Sequence, residues 1–237
     1  ASGSTVDVTN AGTFTTVAAG DISSTAAFTQ DGAGTSSLAG DITTTNSNIG
    51  FATGITLTGS VTMSTGTAAD SLGDITFADT INATTAGSQG LTLTAGAGSV
   101  VFDTDTAVSP AVTAHVGDSA ALASIDVTAA NITLRDVTTT GTQLYAATGT
   151  IDTNSTYTST GANITFDGAT VANSALVIDT TNAGTATAAG TVAFKSTLDS
   201  EASEANTLTI TAGAGDIDFD GVVGGVTALG AVTLNSA

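Results

Sequence analysis

Three carboxylates alternate along Asp216-Ile217-Asp218-Phe219-Asp220-Gly221. Carboxylates at every second residue ahead of a glycine turn could wrap one hard cation, and calcium is the ion this pattern would take, with Asp216, Asp218 and Asp220 as ligands. The glutamate that closes a calcium loop at its twelfth position is missing, because Thr227 stands there. The same alternation also suits a strand that turns Ile217 and Phe219 inward and its three aspartates to solvent. Asp103 and Asp105, in FDTDT, form a weaker version of the pattern. Other chemistry-bearing residues are few: Arg135 and Lys195 are the two basic side chains, His115 is the single histidine, and Tyr145 and Tyr157 are the two tyrosines. Asp136 beside Arg135 reads as a surface ion pair, and His115 as a solvated loop residue in SPAVTAHVGDSA. Polysaccharide lyases and glycosidases need paired carboxylates in a cleft, a basic group and stacking aromatics. This inventory argues against an enzyme.

Against the two basic residues stand 21 acidic ones, for a formal charge of −19 over 237 residues. Phosphate recognition needs clustered lysine and arginine, so nucleic acid is excluded as a partner, and anionic membrane surfaces are disfavoured. The same charge favours solubility and weak, distributed binding of cations between neighbouring aspartates. The mean hydropathy of +0.34 comes from alanine and valine spread through the chain. No apolar run approaches the roughly 18 residues of a membrane span, and aromatic girdles are absent, so membrane insertion is not expected. With no cysteine, the sequence gives no disulfide framework and no reading of compartment from thiols.

The elements that must position these residues are short alternating strands. LTLTAGAGSVVFDTDTAV at 91–108 has a near-copy in TLTITAGAGDIDFDGVV at 207–223. Six strands stack in one alignment: 74–77, 99–102, 131–134, 163–166, 191–194 and 216–219, with starts 25, 32, 32, 28 and 25 residues apart. Their second residue is always Ile or Val, their fourth is Phe or Leu, and their first is a small hydrogen-bonding side chain. Period-2 geometry puts the second and fourth residues on one face and the first in a polar column at the corner. Leu91/Leu93, Ile125/Val127, Leu208/Ile210 and Val232/Leu234 make a second column. Ile81, Val137, Val171, Leu198 and Val223 mark a third strand per unit. A sandwich or up-and-down barrel would want Asp-Gly turns at hairpin spacing, and Asp31-Gly32, Asp167-Gly168 and Asp220-Gly221 do not supply it. The pattern predicts an all-β fold: a parallel β-helix (β-solenoid) of about eight rungs of 20–33 residues, three short strands each, right-handed. One domain spans 1–237, with irregular rungs over 1–73 and regular rungs over 74–237, as part of a longer chain or filament. The sequons at Asn82, Asn131, Asn154 and Asn163 are expected by chance in so threonine-rich a chain.

The phrase LTLTAGAG followed by a V/I-x-F strand, and GVVGGVTALGAVTLNSA at the end, resembles the repeat regions of large bacterial surface adhesins. These are the parallel β-helices of the filamentous-haemagglutinin and autotransporter-passenger kind. That resemblance implies an extracellular rod on the bacterial surface, used for adhesion, biofilm matrix or a fibre, with no catalytic residues and no required cofactor beyond possible calcium. The last residues, AVTLNSA, remain in strand register, so an uncapped end would invite end-to-end or lateral self-association. The expected function is therefore a structural, non-enzymatic module of an adhesin or self-assembling filament. The alternatives are a glycan- or cell-binding module acting through long corners at 43–54, 104–123 and 136–160, and a polysaccharide-acting enzyme.

Overall fold

The computed structural model describes residues 5–67, 72–102, 115–184 and 190–237. Every named element in them is a strand, so the all-β expectation holds. Nearly all are short, and β-branched and aromatic residues alternate with Thr, Ser and Asp, which suits strands half-buried on one side. All strand pairs are parallel, and partners lie a full circuit of the chain apart. Val6 pairs with Phe28, Phe28 with Ile49, Ile49 with Ile75 and Ile75 with Val100. Each circuit passes three faces, so alternate residues from all three meet in one core. Forty of the described residues, such as Phe28, Ile42, Leu57, Ile75, Phe102, Ile164 and Leu208, form that cluster. Burying a side chain of this size contributes about 2 kcal/mol, so the apolar stripe of every strand is committed to the interior.

The first face runs Ile22–Ser24, Ile42–Thr44, Val61–Ser64, Leu91–Thr94, Ile125–Ala129 and on through the start of Gln143–Thr153. The second runs Val6–Val8, Phe28–Gln30, Ile49–Phe51, Ile75–Phe77, Ser99–Phe102 and Asn131–Thr133 into the end of the same strand. Gln143–Thr153 and its neighbour Ile164–Ala172 pass through both faces, and so fuse them into one 16-stranded sheet. A four-stranded and a five-stranded sheet form the third side, bridged through Val116 to Ile81 and Val137.

An open right-handed β-helix of equivalent, independently repeating rungs is therefore not what forms. The parallel strands make a nearly closed wall round a single core. The proposed six-strand column also splits in two. Ile75, Val100 and Ile132 stack on the second face, whereas Ile164, Val192 and Ile217 stack on the first. The reason is that 131–163 holds more than one circuit: Ile132 pairs with Ile151, and Gln143 pairs with Ile164. The aromatic ladder breaks at the same place. Phe51, Phe77 and Phe102 stack at 6.0 and 5.2 Å, and Tyr145, Phe166, Phe194 and Phe219 form a second ladder at 5.3, 4.9 and 5.4 Å. The two near-copies also part company. Leu91–Thr94 lies on the first face and Leu208–Gly213 on the third. What they share is local: a turn closed by Gly98 N–H to Ala95 O at 2.7 Å and by Gly215 N–H to Ala212 O at 2.8 Å. Gly96 and Gly213 supply its left-handed residue, at φ 54° and 55°.

The small polar residues expected at the corners extend the backbone ladder. Asp21, Asp41, Asn48, Asp74, Asn131 and Asn163 each accept, through a side-chain oxygen, a backbone N–H from the next circuit, at 2.7–3.1 Å. Part of the acidity thus satisfies backbone donors where the strands end, at Asp21, Asp41 and Asp74. No helix among the described residues is long and apolar enough to cross a membrane.

Candidate functional site

Polar side chains gather in several surface recesses among the described residues, and two of these adjoin irregular backbone, at the 146–150 bulge and at the positive-φ Ser155. The larger is a groove of about 660 Å³ across the corner between the first and second faces. That corner shortens along the molecule. Four residues, 95–98, separate Leu91–Thr94 from Ser99–Phe102, and one, Ala130, separates Ile125–Ala129 from Asn131–Thr133. The next two circuits have no break at all. Gln143–Thr153 instead carries a bulge, because Ala146 pairs with Asp167 and Thr150 with Ala169. Bulges re-aim side chains where a sheet must bend. Gly149 is needed there, because a Cβ would meet Asn131 Oδ1 at 2.4 Å and Ala130 O at 2.9 Å. Gly149 N–H donates to Ala130 O and Thr150 N–H to Asn131 Oδ1, at 2.8 and 3.1 Å, which fastens the bulge to the preceding circuit. Thr67, Thr94, Thr128 and Thr148 line the groove together with the half-buried Ala97, Ala146 and Ala147, Ala129 lies buried beneath it, and Asp167 is its carboxylate.

The smaller feature is a recess of about 180 Å³ on the edge of the third face, lined by His115, Arg135, Asp136, Asn154, Ser155 and Ser174. A second recess of about 200 Å³ adjoins it across the same His115 and Asp136 and adds Asp118. The ladder builds this pairing. Ile81, Val116, Val137 and Tyr157 stack in register, so His115 and Asp136, each one residue earlier, come side by side on adjacent circuits. His115 Nδ1 lies 2.8 Å from Asp136 Oδ2, and both side chains are about a quarter exposed. The other Asp136 oxygen accepts the Thr156 N–H at 2.7 Å. A carboxylate held at both oxygens fixes the imidazole ring through Nδ1. Behind the pair lies Tyr157, fully buried. Burial pushes its phenol far above the usual range and Asp136 adds to the rise, while the Asn154 amide and Arg135 oppose it.

The sequence pointed elsewhere. Asp216, Asp218 and Asp220 are exposed on or beside the strand Ile217–Phe219, and Asp220 is engaged by Lys195 at 3.0 Å. That contact holds the exposed lysine's pKa above its ordinary value. No three His, Cys, Asp or Glu among the described residues are grouped to hold a metal ion. Asp103 and Asp105 lie outside the described residues. Arg135 and Asp136 are not an isolated surface pair, since Asp136 takes His115 as its partner, and His115 is not a free loop residue. The corner 136–160 is mostly strand, and 43–54 holds the end of Ile42–Thr44 and all of Ile49–Phe51. The groove left no motif at all, being made of threonines and alanines that only the circuit brings together.

No family model matches the chain, no curated protein matches it, and no solved structure matches it. The resemblance to adhesin repeats is corrected accordingly. Its signature phrase recurs on different faces of one nearly closed wall, so it does not mark a structural repeat. The inert, non-enzymatic adhesin or filament module falls with it, because buried polar and aromatic clusters and two lined cavities are features of a working surface. End-to-end or lateral self-association is corrected for the same reason. Stacking by repetition needs equivalent circuits, and these differ in length and in the faces they fill.

Proposed function

We propose that this protein is a glycan-binding module whose ligand lies in the groove over Ala129 and the 146–150 bulge. The observation that carries the reading is the groove itself. It crosses successive circuits, offers a spaced row of hydroxyls, and has methyl groups between them. Its volume lies within the range of small-molecule sites, which are mostly apolar with a few placed polar groups. Alternating hydroxyl and methyl groups suit a chain of hexose rings, whose faces are apolar and whose edges are polar. The formal charge of −19 favours a neutral chain here, since polyanions would meet a repulsive field. Neutral and uronate-containing oligosaccharides should be titrated side by side while amide resonances of Thr128, Thr148 and Asp167 are followed. Saturable shifts there with neutral hexose oligomers are expected, and shifts confined to other residues would sink the reading.

One observation favours a second reading, action on a polysaccharide. The His115–Asp136 pair has the arrangement of a base and its orienting carboxylate, with Arg135 beside it. Release of reducing ends or of acyl groups from a polysaccharide panel, lost in His115→Asn, would support it. A panel on which the wild type does nothing would dismiss it.

A further inference from the structure

The groove over the 146–150 bulge has a direction and a charge. Thr94 pairs with Thr128, Thr128 with Ala146 and Ala146 with Asp167, so these four stand in one line across successive circuits. Neighbours in such a line are about 4.8 Å apart, close to the length of one hexose unit in an extended chain. A glycan lying along the line therefore passes about one sugar over each circuit. The row ends on a carboxylate. Asp167 is exposed, and it is the one ionisable side chain among the described residues that line the groove.

The cation beside it is already shared. Phe166 pairs with Phe194, which sets Lys195 next to Asp167 on the following circuit. The Lys195 ammonium lies 3.0 Å from Asp220 and also feels Asp218 and Asp167. One ammonium among three carboxylates leaves Asp167 able to take a second cation. The charge of the whole chain acts in the same direction, with 21 acidic residues against two basic ones.

We infer that the groove takes a chain of amino sugars, with the protonated amine of one unit on the Asp167 carboxylate. This rests on the reading of the groove as a glycan site and narrows the ligand to hexosamines. An ammonium donating to a carboxylate makes a charge-assisted hydrogen bond, stronger than the neutral bond a sugar hydroxyl would make there. Asp167 is open to water, so the gain is that of an exposed ion pair: an affinity margin of about threefold to fivefold over the uncharged sugar.

Tetramers of β-1,4-linked glucose and glucosamine differ by one substituent on each ring. Both should be titrated into the full chain at about pH 5.5, where the amines are protonated and surface carboxylates are ionised. The amide resonances of Thr128 and Thr148 report on the groove. The glucosamine tetramer should bind about threefold to fivefold more tightly, and the margin should shrink as salt is added. Asp167→Asn should erase the margin, and Asp167→Glu, which keeps the charge, should retain most of it. Asp7→Asn removes an equal charge from the exposed side of Val6–Val8, on the second face, and should leave the margin intact. These variants separate a local contact from the general pull of an acidic chain on any polycation. Equal binding of the two tetramers overturns the inference and leaves the glycan reading standing. No saturable shift at Thr128 or Thr148 from either tetramer defeats both. A margin that survives in Asp167→Asn, or that falls as far in Asp7→Asn, also overturns the inference, because the amines would then be held by the overall field.

Discussion

Removing one hydroxyl from each of the two buried tyrosines should change stability in opposite directions. Tyr145 and Tyr157 are both fully buried, their ring centroids 6.0 Å apart, and both pack on Phe166 at 5.3 and 5.4 Å. Their polar ends differ. Tyr145 Oη donates to Gln143 Oε1 at 3.0 Å, and Gln143 in turn donates to Thr158 O at 2.8 Å. Tyr157 Oη has no hydrogen-bond partner of good geometry, although the Asn154 amide draws near. Tyr145→Phe therefore leaves a buried amide oxygen short of a donor, a loss of about 1–2 kcal/mol. Tyr157→Phe removes a hydroxyl that is buried without a bond, a gain of up to about 1 kcal/mol once the Asn154 approach is discounted. For a chain of this size each kcal/mol moves Tm by roughly 2–4 °C. Urea unfolding can be followed by the fluorescence of the remaining tyrosine, since the sequence contains no tryptophan. Destabilisation by both variants to a similar degree would refute the different satisfaction of the two phenols, and with it the local register of the face switch.

The same tyrosines set an alkaline limit. Burial raises both phenols, with each other's proximity adding to the rise at Tyr145. Below about pH 10 they are protonated whether folded or not. Above it the unfolded chain ionises first, so stability should fall by about 1.4 kcal/mol per pH unit for each phenol, with no phenolate absorbance before unfolding. Burial likewise raises Asp152, so its share of stability is present at low pH and lost as pH climbs through the raised value. Asp152→Asn should raise Tm at pH 7 but not at pH 3. Asp74 accepts the Ser99 N–H at 2.8 Å, and Asp74→Ala should cost about 1 kcal/mol while Asp74→Asn costs less, as denaturant midpoints would show.

Local chemistry was legible in the sequence, and circuit length was not. Alternation correctly named many inward residues, among them Ile75, Phe77, Val100 and Phe102, because period-2 burial is a property of each strand alone. It missed at Val171, whose neighbours Thr170 and Ala172 are the buried ones, and at Val223, Val232 and Leu234, which are exposed. The polar first residues of the aligned strands also read correctly, since Asp74, Asn131 and Asn163 cap the next circuit as corner groups. Stacking by sequence similarity failed between 131 and 163. Two equal intervals of 32 residues look alike on paper, yet the second contains Gln143–Thr153, a strand that turns a corner without a loop. No glycine-rich phrase announces such a corner, because Ala147-Thr148-Gly149 makes it by a bulge within the strand. The His115–Asp136 contact was hidden for a related reason. It depends on Val116 and Val137 occupying adjacent circuits, and residues 103–114 separate that circuit from Phe102 with no pattern to count.

The most direct test of the groove as a glycan site is calorimetric titration of neutral hexose oligomers into the wild type and into Thr148→Trp. Thr148 is exposed on the bulge and lines the groove, so an indole there obstructs it without entering the core. The account predicts saturable binding to the wild type, and its loss in a Thr148→Trp variant whose Tm is unchanged. Unchanged affinity in that variant, or no heat of binding to the wild type from any neutral oligomer, would contradict it.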